Sequence, residues 1–145
     1  MKTIFFIEDD PVVVKVYATK FAREGFHVEV AEDGLIALRM LSTVKPDIVV
    51  LDLMMPKLSG VDVLKYIRSN PALKAIPVII LSNAHMTSLA QEAAALGPEK
   101  ALLKSSCTPA QLLKVIHSLL SGTAEGEDPS QRLAVPAPPP VKPRS

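Results

Sequence analysis

The chain reads as an α/β protein built on a parallel sheet with helices on both faces. Short apolar runs alternate with segments of helical period five times in about 120 residues, the pattern of consecutive strand-helix units. The polar residues best suited to chemistry fall just past the ends of those apolar runs. In an open parallel sheet that is where ligands bind.

The elements follow in order. Thr3–Ile7 is a short apolar strand that stops at Glu8. Asp10 caps the next helix with Pro11 at its first position, and Val13, Val16, Tyr17 and Phe21 form its inward stripe at helical spacing. Gly25 ends it. Phe26–Ala31 alternates as a strand, and Asp33–Val44 is a helix with Ile36, Ala37, Met40 and Leu41 inward. Asp47–Leu53 is a continuous apolar strand broken only by Asp52. Val61–Ile67 is a helix after Gly60, Pro77–Leu81 a buried strand, and Thr87–Leu96 an alanine-rich helix. Ala101–Leu103 is a short last strand, and Thr108-Pro109 opens a final helix to Leu120.

Composition narrows the function classes. Of 145 residues, 48% are hydrophobic, enough for a core without disulfides. A net charge of +1 gives no electrostatic case for nucleic acid. The single cysteine, Cys107, has no partner and reads as a small buried apolar residue in a reducing compartment. No apolar stretch approaches the roughly 20 residues of a membrane helix, and the N-terminal apolar run is too short for a signal peptide. A cytoplasmic protein is expected, with residues 1–120 folded. Residues 121–145 hold six of the 13 prolines and show no apolar period. They read as a disordered tail with polyproline II character, either inert or a docking tether.

The polar strand ends converge on one edge. Glu8, Asp9 and Asp10 follow the first strand, Asp52 ends the third, Ser82 and Asn83 follow the fourth, and Lys104 follows the fifth. Asp10 is explained by helix capping alone. The other carboxylates repel: two unit charges about 4 Å apart at an effective dielectric near 20 cost on the order of 4 kcal/mol. Lys104 supplies one compensating charge. A divalent cation would supply the rest, and oxygen-only ligands select magnesium or manganese over zinc.

The Glu8-Asp9-Asp10 cluster resembles the acidic pair of response-regulator receiver domains. Pro46-Asp47-Ile48-Val49-Val50-Leu51-Asp52-Leu53-Met54-Met55-Pro56, with Ser59-Gly60 beyond, resembles the same family through its Asp-x-x-Met-Pro-x-x-x-Gly spacing. Ala31-Glu32-Asp33-Gly34 with Ala37 resembles its second strand-helix junction. The resemblance covers the whole folded part. It implies a flavodoxin-like, doubly wound five-stranded sheet of order 2-1-3-4-5 with five helices. It further implies that Asp52 is the phosphoacceptor of a two-component phosphorelay. Asp9 would be a direct Mg2+ ligand and Glu8 the second acidic residue, with the carbonyl of Met54 completing the protein ligands. Ser82 would be the switch hydroxyl and Lys104 the lysine that pairs with the phosphoryl group. The implied donor is a phosphohistidine on a sensor histidine kinase or phosphotransfer protein, and the output is a changed surface for a downstream protein partner.

Several positions depart from the family pattern. Ser105 stands where the family has proline after the lysine, so a trans or rearranged loop is expected, because a cis bond before a non-proline costs about 3 kcal/mol. Ala101 stands where an aromatic ring usually swings inward. No DNA-binding domain follows, so direct DNA binding is not expected. Met54 and Ala84 occupy positions that influence hydrolysis and cannot orient a water, which predicts slow self-dephosphorylation. Val14, Ala18 and Ala22 form a second apolar line on the first helix, expected to face solvent in part. Leu112, Leu113, Val115, Ile116, Leu119 and Leu120 exceed one stripe on the last helix, marking a homodimer or partner face or a helix covered by the tail. His27, His85 and His117 lie on separate elements and receive no role. The competing reading is a phosphorylation-independent pseudo-receiver or adaptor, favoured by Ala101 and Ser105. An aspartyl-phosphate phosphohydrolase ranks below both, since Met54 stands where its second Asp is needed.

Overall fold

The computed structural model describes residues 1–55, 57–82 and 88–121. Five strands, β1 (Thr3–Ile7), β2 (His27–Ala31), β3 (Ile48–Asp52), β4 (Val78–Ser82) and β5 (Lys100–Leu103), form one sheet in the order β2-β1-β3-β4-β5. All neighbouring pairs are parallel. The helices are α1 (Pro11–Arg23), α2 (Gly34–Met40), α3 (Gly60–Ser69), α4 (Ser88–Ala95) and α5 (Pro109–Ser121), with a 3-10 turn at Lys104–Ser106. This is the flavodoxin-like arrangement, with its switch in strand order between β1 and β3.

Strand alternation sorts the core into two layers. Ile4, Phe6, Ile48, Val50, Ile79 and Leu81 face Tyr17 and Phe21 of α1 and Leu112, Leu113 and Ile116 of α5. Phe5, Ile7, Val49, Leu51, Val78 and Ile80 face α2, α3 and α4 through Ala37, Leu41, Val61, Leu64, Ile67 and Ala93. Every residue of β3 and β4 is buried. Covered on both faces, these two strands must be apolar at every position, and Asp52 and Ser82 at their carboxyl ends are the exceptions.

The expected elements are all present, with shifts of a residue or two at most ends. Two differences have clear causes. α2 ends at Met40 rather than Val44 because Ser42 and Thr43 turn their hydroxyls back onto the carbonyls of Arg39 and Met40, at 2.7 and 3.3 Å. Such bonds compete with the helical ladder. On α1, Val16 is exposed rather than part of the inward stripe. Tyr17 and Phe21 are buried, and Val13 and Val14 pack beside them. The apolar line left outside is therefore Val12 and Val16, while Val14 and Ala18 are half-buried and Ala22 is exposed.

All six apolar residues of α5 pack against the α1 side of the core. The helix continues one residue past its expected end, through Ser121, and residues 122–145 lie outside the described residues. After Lys104 the chain forms a 3-10 turn, and no cis peptide occurs among the described residues, as Ser105 leads one to expect.

Candidate functional site: an acidic pocket at the sheet's carboxyl edge

Register brings the carboxylates together. Ile7 pairs with Leu51, so Glu8 and Asp52 stand next along the same row and continue the strand positions that face α1 and α5. Glu8 is buried. Its Oε2 accepts the N–H of Asp10 at 3.1 Å, and its Oε1 forms an ion pair with Lys104 Nζ at 2.8 Å, outside hydrogen-bonding angles. Asp9 is exposed. Asp10 turns away and caps α1, accepting from Val12 and Val13 N–H.

Asp52 is 4% exposed. Its Oδ1 lies 3.6 Å from Lys104 Nζ and accepts the N–H of Met54 at 3.4 Å. Burial, then the charge of Glu8, push its pKa up to about 7, with Asp9 adding to the rise. Lys104 and the Met54 N–H oppose them without cancelling them. For Lys104 itself, burial disfavours the ammonium, but the close contact with Glu8 and the charges of Asp52 and Glu8 outweigh that and raise its pKa. The pocket therefore holds more negative charge than its single ammonium neutralises.

The donor set fits a hard divalent cation. One carboxylate oxygen from each of Glu8, Asp9 and Asp52 lies within 4.8 Å of the others. Opposed ligands of an octahedral Mg2+ stand about 4 Å apart at its usual bond length. All donors are oxygen, and Glu8 Oε1 has acceptor capacity that the ion pair does not fill.

Two close approaches set the loop between β3 and α3. A Cβ on Gly60 would stand 2.3 Å from the Asp52 carbonyl, so only glycine lets α3 start against the end of β3. A Cβ on Gly34 would stand 2.5 Å from the Leu58 carbonyl, so the same loop also rests against the start of α2. Lys57 holds a left-handed conformation, φ 72°, and its ammonium lies 3.5 Å from Asp33 Oδ2. Asp33 caps α2 through Ile36 N–H, a bond that, followed by the nearby Lys57 charge, lowers its pKa against burial.

The structure brings Glu8, Asp9, Asp52 and Lys104 together. Ser82 is buried at the end of β4, where it pairs with Leu103, the residue before Lys104. Met54 is 57% exposed at the rim. Pro56, Asn83, Ala84, His85 and Thr87 lie outside the described residues. His27 pairs with Glu29 on the edge strand, and the His117 ring packs at a tilt against Phe26, 44° between planes. Sequence reasoning took Tyr17 only as core, yet its hydroxyl donates to the Cys107 carbonyl at 2.6 Å. It assigned nothing to Arg68 or Lys57. A tyrosine within an otherwise wholly apolar stripe was the one available signal, since a buried hydroxyl needs a partner.

Fold and pocket together define a receiver domain of two-component signalling. The family model for the response regulator receiver domain matches residues 4–117, and the chain belongs to that family. It is 38% identical over 81 residues to the probable transcriptional regulatory protein TcrX of Mycobacterium tuberculosis, a match covering 55% of this chain and 33% of TcrX. It is 31% identical over 126 residues to the response regulator MprA of Mycobacterium sp. strain KMS, covering 87% of this chain and 54% of MprA. The chain thus spans from a third to about half the length of these curated relatives. Among solved structures, the signal receiver domain of a signal transduction histidine kinase from Syntrophus aciditrophicus superposes with a TM-score of 0.78 at 26% identity, over 88% of this chain and 96% of that one. Receiver domains are signalling modules. None of the described helices is long and apolar enough to cross a membrane.

Proposed function

We propose that the chain is a phosphorylation-dependent switch in which Asp52 accepts a phosphoryl group. The carrying observation is the buried Asp52 carboxylate, 3.6 Å from Lys104 Nζ and within 4.8 Å of oxygens from Glu8 and Asp9. Glu8, Asp9, Asp52 and the carbonyl of Met54 would hold Mg2+. When bound, the ion supplies the positive charge that three carboxylates and a phosphoryl group require. Asp52 in its ionised form is the nucleophile. Its oxygen bonds to phosphorus as the bond from phosphorus to the donor's imidazole nitrogen breaks. Lys104 and the Ser82 hydroxyl receive the phosphoryl oxygens, and Lys104 already stands between the two acids that flank them.

The donor is a sensor histidine kinase or a phosphotransfer protein in the cytoplasm, and the output is protein binding rather than a released product. Residues 1–120 carry this switch, and the proline-rich segment 121–145 supplies none of its site residues. Met54 at the rim offers no hydrogen bond to an attacking water, which supports slow self-dephosphorylation. The phosphate-independent adaptor draws on Ala101, an exposed small residue where a switch ring is usual. It leaves the uncompensated charge around Asp52 without a use.

Intact-mass spectrometry after incubation with a small phosphodonor and Mg2+ tests this reading, with Asp52→Asn alongside. A gain of one phosphoryl group in the wild type alone is expected. No gain from the small donor or from a panel of kinases would favour the adaptor.

A further inference from the structure

The bond from Tyr17 to Cys107 joins α1 to the loop after β5, across 90 positions of the chain. No step proposed above uses it. Its place in the fold suggests what it does. Lys104 opens the 3-10 turn Lys104–Ser106, and Cys107 closes it, donating its N–H to the Lys104 carbonyl at a long 3.4 Å. Ser105 and Ser106 are exposed and add no packing. Downstream, Thr108 and Gln111 cap α5 reciprocally, with Gln111 N–H on Thr108 Oγ1 at 3.1 Å and Thr108 N–H on Gln111 Oε1 at 2.8 Å. Upstream, Leu103 pairs with Ser82. Between these two fixed points, the 2.6 Å bond from Tyr17 is the shortest tie described for the turn.

The other end of that tie is equally well placed. The Tyr17 ring packs against Phe6 and Phe21 with centroids 5.8 and 6.2 Å away. Phe6 lies on β1 two residues before Glu8, which follows the strand's end and continues its α1-facing row. The hydroxyl therefore references the Lys104 turn to the strand that leads into Glu8, the partner 2.8 Å from the Lys104 ammonium.

We infer that Tyr17 is a positioning residue for Lys104, its hydroxyl holding the turn through the Cys107 carbonyl so that the ammonium stands between Glu8 and Asp52. The inference deepens the proposed function and rests on Lys104 acting at the phosphoryl group. Positioning dominates phosphoryl transfer, and a displacement of about 1 Å can lower a rate by up to about a hundredfold.

Tyr17→Phe removes the hydroxyl and keeps the ring. The first readout is the rate of phosphorylation of the full chain by acetyl phosphate at saturating Mg2+, in the wild type, Tyr17→Phe, Lys104→Ala and the double variant. Tyr17→Phe should slow the reaction about tenfold, leave Mg2+ affinity unchanged, and add no further slowing in the Lys104→Ala background. The same tenfold loss in that background would overturn the inference, because the effect would not pass through Lys104.

The second readout needs no phosphorylation: the NMR correlation of the Lys104 ammonium, protected from exchange by its ion pair. Tyr17→Phe should broaden or abolish it. Phe26→Leu, a core change in the same cluster whose ring packs on His117 of α5, should leave it intact. If the wild type accepts no phosphoryl group, the functional reading fails and this signal decides alone. Its loss in Tyr17→Phe only upholds the positioning role, and its persistence overturns it. Loss in Phe26→Leu as well would reduce Tyr17 to an ordinary core residue.

Discussion

The two ends of the sheet treat charge in opposite ways. At the amino end, Arg68 donates to the carbonyls of Lys74, Ile76, Leu96 and Gly97 and to Glu99, all at 3.0–3.2 Å. Glu99 also accepts the N–H of Val78 at 2.7 Å, and Asp47 accepts the N–H of Thr3 at 2.7 Å. Each of these three charged groups has a partner, and Arg68 and Glu99 together tie α3, the end of α4 and the start of β4. At the carboxyl end, Glu8, Asp9 and Asp52 cluster, and among the described residues one ammonium, that of Lys104, pairs with Glu8 and Asp52. The comparison separates a region built for stability from one whose charges are left to be completed by a ligand.

The largest disruption should come from the carboxyl end's backbone. Gly60→Ala places a methyl 2.3 Å from the Asp52 carbonyl, so urea melts should show a loss of about 3 kcal/mol or more, since overpacking rigid backbone has no side chain to yield. Equal stability would mean that α3 can move away from β3.

Asp52→Asn should act in the other direction. With a folded pKa near 7 against 3.8 unfolded, the native state binds the extra proton between those values. Its stability therefore falls as pH rises from about 4 to 7, and the cost is complete above 7. At roughly 1.4 kcal/mol per pKa unit the effect is on the order of a few kcal/mol. Without Mg2+, the asparagine variant should melt higher than the wild type at pH 8, with the gap closing toward pH 4. Mg2+ added at pH 8 should narrow the gap by stabilising the wild type. A gap that is independent of pH would contradict the charge argument.

At the amino end, Arg68→Met should cost about 2 kcal/mol through unsatisfied carbonyls and an unpaired Glu99. That loss should be flat from pH 5 to 8 and should leave the phosphorylation rate unchanged. A pH-dependent loss would mean that the two ends are coupled. The smallest effect belongs to the rim: Met54→Asn should speed loss of the phosphoryl group several-fold, about 1 kcal/mol in barrier, read by the decay of the phosphorylated mass. An unchanged decay would remove Met54 from the account of lifetime.

Much of this was legible in the sequence where local rules are strong. Asp10, Gly25 and Thr108 mark helix ends by chemistry that needs no tertiary context, and the apolar runs of β3 and β4 announce burial on both faces. Asp52 stood out because a carboxylate inside such a run has no structural use. Other features depend on partners remote in sequence. Val16 has the right spacing for the core, but the rotation of α1 is set by Tyr17 and Phe21 against Phe6. Arg68 meets carbonyls 28 and 29 residues away, and Tyr17 meets a backbone atom that no side-chain pattern reveals. The ion pair of Lys104 with Glu8, at 2.8 Å against 3.6 Å for Asp52, joins residues 96 positions apart that no local pattern connects.

The claim that Asp52 is the phosphoacceptor can be tested at atomic resolution by reductive trapping. An acyl phosphate on an aspartate is reduced by borohydride to homoserine, so peptide sequencing of the protein treated with phosphodonor and Mg2+ locates the acceptor. The account predicts homoserine at position 52 and nowhere else, with none formed when Mg2+ is chelated. Homoserine at position 9, 2-amino-5-hydroxypentanoic acid at position 8, or a phosphoryl group on a residue that borohydride leaves untouched, would contradict it.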